Sequence, residues 1–215
     1  MSVKAIIFDL DGTLTYTLQD LCDSVNYALR SMGWEERTLD EVRQFVGNGV
    51  HLLVERAVPQ GVSASDVERC FETFRSHYLI HCQDNTRLYD GVREMLRDVK
   101  SRGLLTAIVS NKLQAGVDEL YDIYFRGLVD VAIGEREGVR RKPSADMVEL
   151  ALKTLGVKAE DSVYVGDSEV DVQTAANSGL PCISVLWGFR DREQLIAAGA
   201  TTFINHPSEL LEIIK

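Results

Sequence analysis

Lys4-Ala-Ile-Ile-Phe-Asp-Leu-Asp-Gly-Thr-Leu14 is the stretch on which the fold turns. Its first half is a short continuous apolar run, which suits a strand covered on both faces. The run ends abruptly in Asp9-Leu-Asp-Gly12, so the carboxyl end of the strand opens into a polar site. Similar runs return at 105–109, 129–133, 163–165 and 182–186. Helical patterns lie between them at 91–102, 113–124, 144–155 and 170–178. Pro207 suits the first turn of a last helix running to Lys215. Strands alternating with helices predict an α/β protein whose parallel sheet carries helices on both faces.

Residues 16–87 read differently. Leu18, Leu21, Cys22, Val25, Ala28, Leu29 and Met32 fall at helical spacing, as do Val67, Cys70, Phe71, Phe74 and Tyr78. Thr38-x-x-Glu41 and Ser63-x-x-Asp66 are helix-start signals, and no strand pattern intervenes. This segment is expected to be an α-helical insertion, with 1–15 and 88–215 forming the sheet-bearing core.

The composition limits the partners. The chain has 215 residues, 45% hydrophobic and 26% charged, which are ordinary globular values. Its net charge of -10 repels polyanions, so neither nucleic acid nor an anionic membrane is expected as partner. The four scattered cysteines have no CxxC pair and read as reduced thiols of a cytoplasmic protein. The amino-terminal apolar run lacks the length of a signal peptide. No run approaches a membrane span.

Ligands of open parallel sheets bind beyond the carboxyl ends of the strands. Those ends carry Asp9 and Asp11, then Ser110-Asn111, then the loop Arg140-Arg-Lys-Pro143, then Gly166-Asp-Ser-Glu-Val-Asp171. Crowded carboxylates need a cation, and hard oxygen donors suit Mg2+, which also binds substrate phosphate. One aspartate can attack phosphorus, and a second, two residues along, can protonate the leaving oxygen. Lys142 and Ser110 can supply positive charge and a donor.

With those residues in hand, a resemblance is plain. Asp9-Leu-Asp-Gly-Thr-Leu14, Ser110, Lys142-Pro143 and Gly166-Asp-Ser-x-x-Asp171 resemble, in order, the four motifs of the haloacid dehalogenase superfamily. A string such as DxDGTL arises by chance about once per million positions. The resemblance implies a Rossmann-like core and a helical cap that closes over small substrates. It implies Asp9 as nucleophile and metal ligand, and Asp11 as general acid/base with its backbone carbonyl on Mg2+. Ser110, Asn111 and Lys142 would hold the phosphoryl group. Asp167 would complete the metal ligands, and Asp171 would support the metal through water.

Phosphoglycolate phosphatases are the most similar branch, through Phe45-Val-Gly-Asn-Gly-Val50, Val54-Glu-Arg-Ala57, Leu88-Tyr-Asp-Gly-Val92, Ser110-Asn-Lys112 and Trp187-Gly-Phe-Arg190. The expected activity is Mg2+-dependent hydrolysis of a small phosphorylated metabolite through an aspartyl-phosphate, by a monomer or homodimer. Gly47, Asn48 and Gly49 are candidate substrate contacts in the cap, equally readable as helix punctuation. Arg43 and Arg56 flank them.

Two positions depart from the family pattern. Thr15-Tyr16-Thr17 stands where many relatives have an acidic residue and then Ser, and Ala145 where a second proline is common.

Competing readings are a phosphomutase, a pyrophosphatase and a phospho-aspartate sensing module. A carbon–phosphorus hydrolase would need a cap lysine, and no lysine lies between Lys4 and Lys100. His77 and His81, four apart beside Cys82, have zinc-compatible spacing but no HExxH, so an ordinary surface or packing role is expected.

Overall fold

A computed structural model describes residues 3–214. In chain order it contains β1 (Ala5–Phe8), β2 (Thr15–Tyr16), α1 (Leu18–Ser31), α2 (Leu39–Phe45), α3 (Val50–Ala57), α4 (Ala64–His81) and β3 (Arg87–Leu88). There follow α5 (Val92–Ser101), β4 (Leu105–Leu113), α6 (Gln114–Leu120), β5 (Val131–Glu135), α7 (Asp146–Leu155) and β6 (Ser162–Gly166). The chain ends with α8 (Glu169–Asn177), β7 (Cys182–Val185), α9 (Arg192–Ala197), β8 (Phe203–Ile204) and α10 (Leu210–Ile213).

The chain divides into two compact units, Met1–Thr15 with Leu88–Lys215, and Tyr16–Arg87. In the first, six parallel strands run in the order β5-β4-β1-β6-β7-β8. Alternation along β1 explains its unbroken apolar sequence. Ile6 and Phe8 enter one core with Val92, Leu96, Val117 and Leu210. Ile7 enters the opposite core with Met147, Ala151, Tyr164 and Ala175. Every β1 residue is buried, because the strand is central and both faces are covered. The core is thus an α/β fold with a parallel sheet, as the pattern predicts.

The second unit is helical. Thr38 caps α2 in a reciprocal box with Glu41, and Ser63 caps α4 by accepting from the Asp66 amide. α1 packs on α4 and α2, and α3 packs on α2 and α4. Asp20 lies buried here, and its carboxylate accepts from the Asn85 amide (2.8 Å), Asn85 Nδ2 (3.0 Å), the Thr86 amide (2.9 Å) and Thr86 Oγ1 (2.7 Å). The short strands β2 and β3 pair where the chain passes between units. They fall at the ends of the segment in which no strand pattern was read.

Other boundaries differ for physical reasons. The sequence pattern ends the second core strand in Ser110-Asn111, yet β4 continues to Leu113, with a shift in register against β5 between Val109 and Leu113. The helix expected over 113–124 narrows to α6, followed by a π turn at Tyr121–Phe125. Pro207 opens a 3-10 turn, Pro207–Glu209, before α10, and Lys215 lies outside the described residues. β8 and α9 escape the periodicity reading because two-residue strands and six-residue helices are too short to show a period.

Candidate active site

β1, β4 and β6 are neighbours, so their carboxyl ends bring Asp9, Ser110 and Asp167 together. Asp9 is anchored by its amide, which donates to Val165 O at 2.9 Å. Lys142 comes from the loop after β5, and Asn111 fixes that loop. Asn111 Nδ2 donates to Lys142 O (3.1 Å), and Asn111 Oδ1 accepts from the Lys142 amide (2.8 Å). Asn111, expected beside the phosphoryl group, thus spends its side-chain amide on placing Lys142.

The Lys142 ammonium donates to Asp9 Oδ1 at 2.7 Å, Asp171 Oδ1 at 2.8 Å and Tyr164 OH at 3.1 Å. Tyr164 OH in turn donates to Asp171 Oδ1 at 3.0 Å. The other Asp171 oxygen accepts from the Asp167 and Ser168 amides and from Ser168 Oγ (2.6 Å). Asp171 therefore caps α8 and holds Lys142 at once. Asp167 is held by Thr13 Oγ1 (3.1 Å) and by the Phe189 amide (2.7 Å).

Two glycines permit this crowding. A Cβ on Gly12, whose φ is 93°, would lie 2.4 Å from Asp167 Oδ2, and one on Gly188 would lie 2.3 Å from Asp167 Cβ. Trp187 Nε1 donates to Thr13 O at 3.0 Å, fastening the loop after β7 to the loop after β1.

The electrostatics show a pocket short of positive charge. Burial, then the neighbouring Asp171, push Asp9 well above the usual carboxylate range, although Lys142 pulls it back. Burial and Asp171 lift Asp167 to about 7. Burial also raises Asp171, but Lys142 with the Ser168 and Tyr164 hydrogen bonds outweighs it and holds this carboxyl low. Burial depresses Lys142, yet Asp171 and Asp9 more than restore its charge. One oxygen from each of Asp9, Asp167 and Asp171 lies within 4.8 Å of the others. This buried all-oxygen set can hold a hard divalent cation.

Asp11 is partly buried, and its Oδ1 is a buried oxygen that accepts no hydrogen bond. The Lys112 ammonium lies 3.6 Å from that oxygen. Ser110 is 2% exposed, and its Oγ accepts from the Lys112 amide at 3.2 Å, which leaves its proton for another acceptor.

The model of the family described as haloacid dehalogenase-like hydrolase matches residues 6–185. The chain belongs to that family. This haloacid dehalogenase-like hydrolase is similar to phosphoglycolate phosphatases. That of Aquifex aeolicus is 30% identical over 213 residues, covering 99% of this chain and 97% of the relative. That of Vibrio parahaemolyticus is 30% identical over 220 residues, covering 99% and 96%. A solved structure from Lactobacillus delbrueckii subsp. bulgaricus, provisionally named a phosphoglycolate phosphatase, superposes with a TM-score of 0.95 at 36% identity, covering 100% of this chain and 99% of that one. The crystal structure of CbbY from Rhodobacter sphaeroides in complex with phosphate superposes with a TM-score of 0.73 at 25% identity, covering 97% and 96%.

Of the residues singled out in this hydrolase by sequence, Asp9, Asp11, Ser110, Asn111, Lys142, Asp167 and Asp171 all converge at the strand ends. Gly47, Asn48 and Gly49 lie in the helical unit between α2 and α3, where Gly49 begins α3 at a φ of 87°. Arg56 donates to Phe45 O across that turn at 2.8 Å. His77 and His81 stack 4.2 Å apart; His77 meets Ser24 Oγ and His81 meets Asp84 at the surface, so both have ordinary packing or surface roles. All four cysteines are free thiols. Among the described residues, no helix is long and apolar enough to cross a membrane.

Sequence reasoning missed Tyr164, Thr13 and Ser168 as partners of the charged groups. Tyr164 sits inside an apolar run and reads as core, which it also is. Thr13 and Ser168 lie within recognised motifs, and their hydroxyls beside aspartates were the available signal.

Proposed function

We propose that this phosphoric monoester hydrolase releases phosphate from a small phosphorylated metabolite of the phosphoglycolate type, by way of an aspartyl-phosphate on Asp9. The observation that carries the proposal is the buried Lys142 ammonium 2.7 Å from Asp9, which with Asp167 and Asp171 forms a set of three carboxylates able to hold a cation. The similarity to phosphoglycolate phosphatases and to a structure in complex with phosphate supports the substrate class.

In this reading an Asp9 oxygen attacks phosphorus and the ester bond breaks. Asp11 gives its proton to the departing alcohol oxygen, and its orphaned Oδ1 fits such a role. Asp11 then takes a proton from water, whose oxygen attacks phosphorus and breaks the bond to Asp9, releasing inorganic phosphate. Lys142 steers Asp9 and neutralises phosphoryl oxygens, and the Ser110 hydroxyl donates to them. Asp9 and Asp167 would hold Mg2+ with the Asp11 carbonyl, and Asp171 would stand behind Lys142 and the Asp167 backbone. When bound, Mg2+ supplies charge compensation for the carboxylates and the phosphate. Its donor set fits because Asp9 and Asp167 are buried and both are raised above the ordinary carboxylate range, by burial first and then by Asp171.

The test is phosphate release from a panel of phosphorylated metabolites, with and without Mg2+. Mg2+-dependent release with a preference for phosphoglycolate supports the proposal. Isomerised sugar phosphate without free phosphate would point to a mutase instead.

A further inference from the structure

We infer that Lys112 is the residue that selects substrates carrying a carboxylate on the carbon that bears the phosphate ester. This inference rests on the hydrolase reading above and extends it to a specificity-determining side chain. Asp11 Oδ1, a buried oxygen that accepts no hydrogen bond, marks where the leaving oxygen of a monoester comes to rest. The Lys112 ammonium is 3.6 Å from that oxygen, with a side chain only 6% exposed. Whatever group is attached to the carbon next to the leaving oxygen therefore comes within reach of Lys112.

The position of Lys112 is built into the fold. Its amide is tied to Ser110 Oγ, where β4 runs past its expected end. Its stem lies along α6 against Gly116, where an added Cβ would come within 3.1 Å of Lys112 Cε. A glycine there keeps the space that the lysine stem occupies. A buried ammonium met by a substrate carboxylate makes a charge-assisted hydrogen bond, which is among the stronger polar contacts. A neutral alcohol leaving group gains nothing from it, so the same lysine discriminates between the two.

The experiment compares kcat/KM for phosphoglycolate and for ethyl phosphate, which has the same ester carbon without the carboxylate. The wild-type protein with Mg2+ is expected to prefer phosphoglycolate. Lys112→Met is expected to lower the ratio of the two values by roughly 10- to 100-fold, mainly through the KM for phosphoglycolate. Lys112→Arg is expected to recover part of the ratio. Gly116→Ala keeps the charge but makes the stem give way by a few tenths of an ångström, and is expected to lower the ratio by a smaller factor. It provides the reading if the methionine variant fails to fold.

Equal losses on both substrates in Lys112→Met would mean that Lys112 acts only through Asp11, and would overturn the inference. An unchanged ratio in the folded variants would overturn it too. A wild-type protein that cleaves ethyl phosphate with no preference for phosphoglycolate sinks the inference and leaves the hydrolase reading standing. One that cleaves neither sinks both.

Discussion

Two buried carboxylate sites, one in each unit, make opposite use of the same side chain. Asp20 in the helical unit accepts four hydrogen bonds from Asn85 and Thr86, and so ties the end of that unit back to α1. At the strand ends Asp9 shares one lysine with Asp171, Asp167 is lifted to about 7, and Asp11 Oδ1 has no hydrogen-bond partner. A buried charge met by as many donors as it can accept stabilises structure. A buried charge left short of partners costs stability, and it persists where a ligand or cation completes it. The contrast separates a structural aspartate from reactive ones without reference to sequence motifs.

The largest expected break in this comparison is Asp9→Asn. Phosphate release should fall by on the order of 10^3-fold or more, because the nucleophile is gone. Its thermal unfolding midpoint without Mg2+ should hold or rise, because a carboxyl held above its ordinary range becomes a neutral amide. Full activity in this variant would remove Asp9 from the reaction.

Asp20→Ala should do the reverse. It orphans buried donors and should cost about 3 kcal/mol of stability in urea unfolding. Activity per folded molecule should change far less than in Asp9→Asn. A stability loss under about 0.5 kcal/mol would show that those four bonds are not what holds the segment.

pH sharpens the contrast further. Asp167 rises from its ordinary 3.8 to about 7 in the fold, so across that window the folded state binds more protons than the unfolded one. This group therefore removes stability from the metal-free protein as pH rises from about 4 to about 7. Mg2+ displaces the same proton, so its affinity should strengthen by about tenfold or more per pH unit below 7. Calorimetric Mg2+ titrations between pH 5.5 and pH 8 would check this (a window chosen to span the Asp167 value). A flat affinity would mean that Asp167 is not a ligand.

The smallest effect is expected from Tyr164→Phe. It removes one hydrogen bond to Asp171 and one acceptor for Lys142, worth about 1 kcal/mol, and should lower kcat/KM several-fold. Loss as deep as that of Asp9→Asn would give the tyrosine a direct part in the chemistry.

Much of this contrast is legible in the residues before any fold is known. The apolar run 5–8 ending in Asp9-Leu-Asp identifies a central strand with a polar end, and the core shows why: Ile6 and Phe8 face one layer and Ile7 the other. Thr38 and Ser63 are helix starts by chemistry, and both cap as their patterns suggest. The charged residues of the site could be gathered from strand ends because a parallel sheet delivers those ends to one edge.

What sequence could not reveal is the partnership of each group. Asn111 and Ser110 are adjacent and equally polar, yet one clamps the Lys142 backbone and the other keeps a hydroxyl proton free. Tyr164 shares a strand with apolar residues, and only the packing of β6 against the Lys142 loop brings its hydroxyl to the ammonium. Lys112 belongs to a segment similar to phosphoglycolate phosphatases, but only the extension of β4 sets its ammonium beside Asp11, with its stem against Gly116.

By itself, then, the sequence determined which elements form and which residue types meet at the sheet's edge. Both follow from local periodicity and from motifs that are close in the chain. The tertiary structure decided which carboxylate is satisfied, which is strained by its neighbours and which lysine serves which aspartate. Those outcomes depend on burial and on distances of a few ångströms between groups more than a hundred residues apart, such as Asp9 and Lys142.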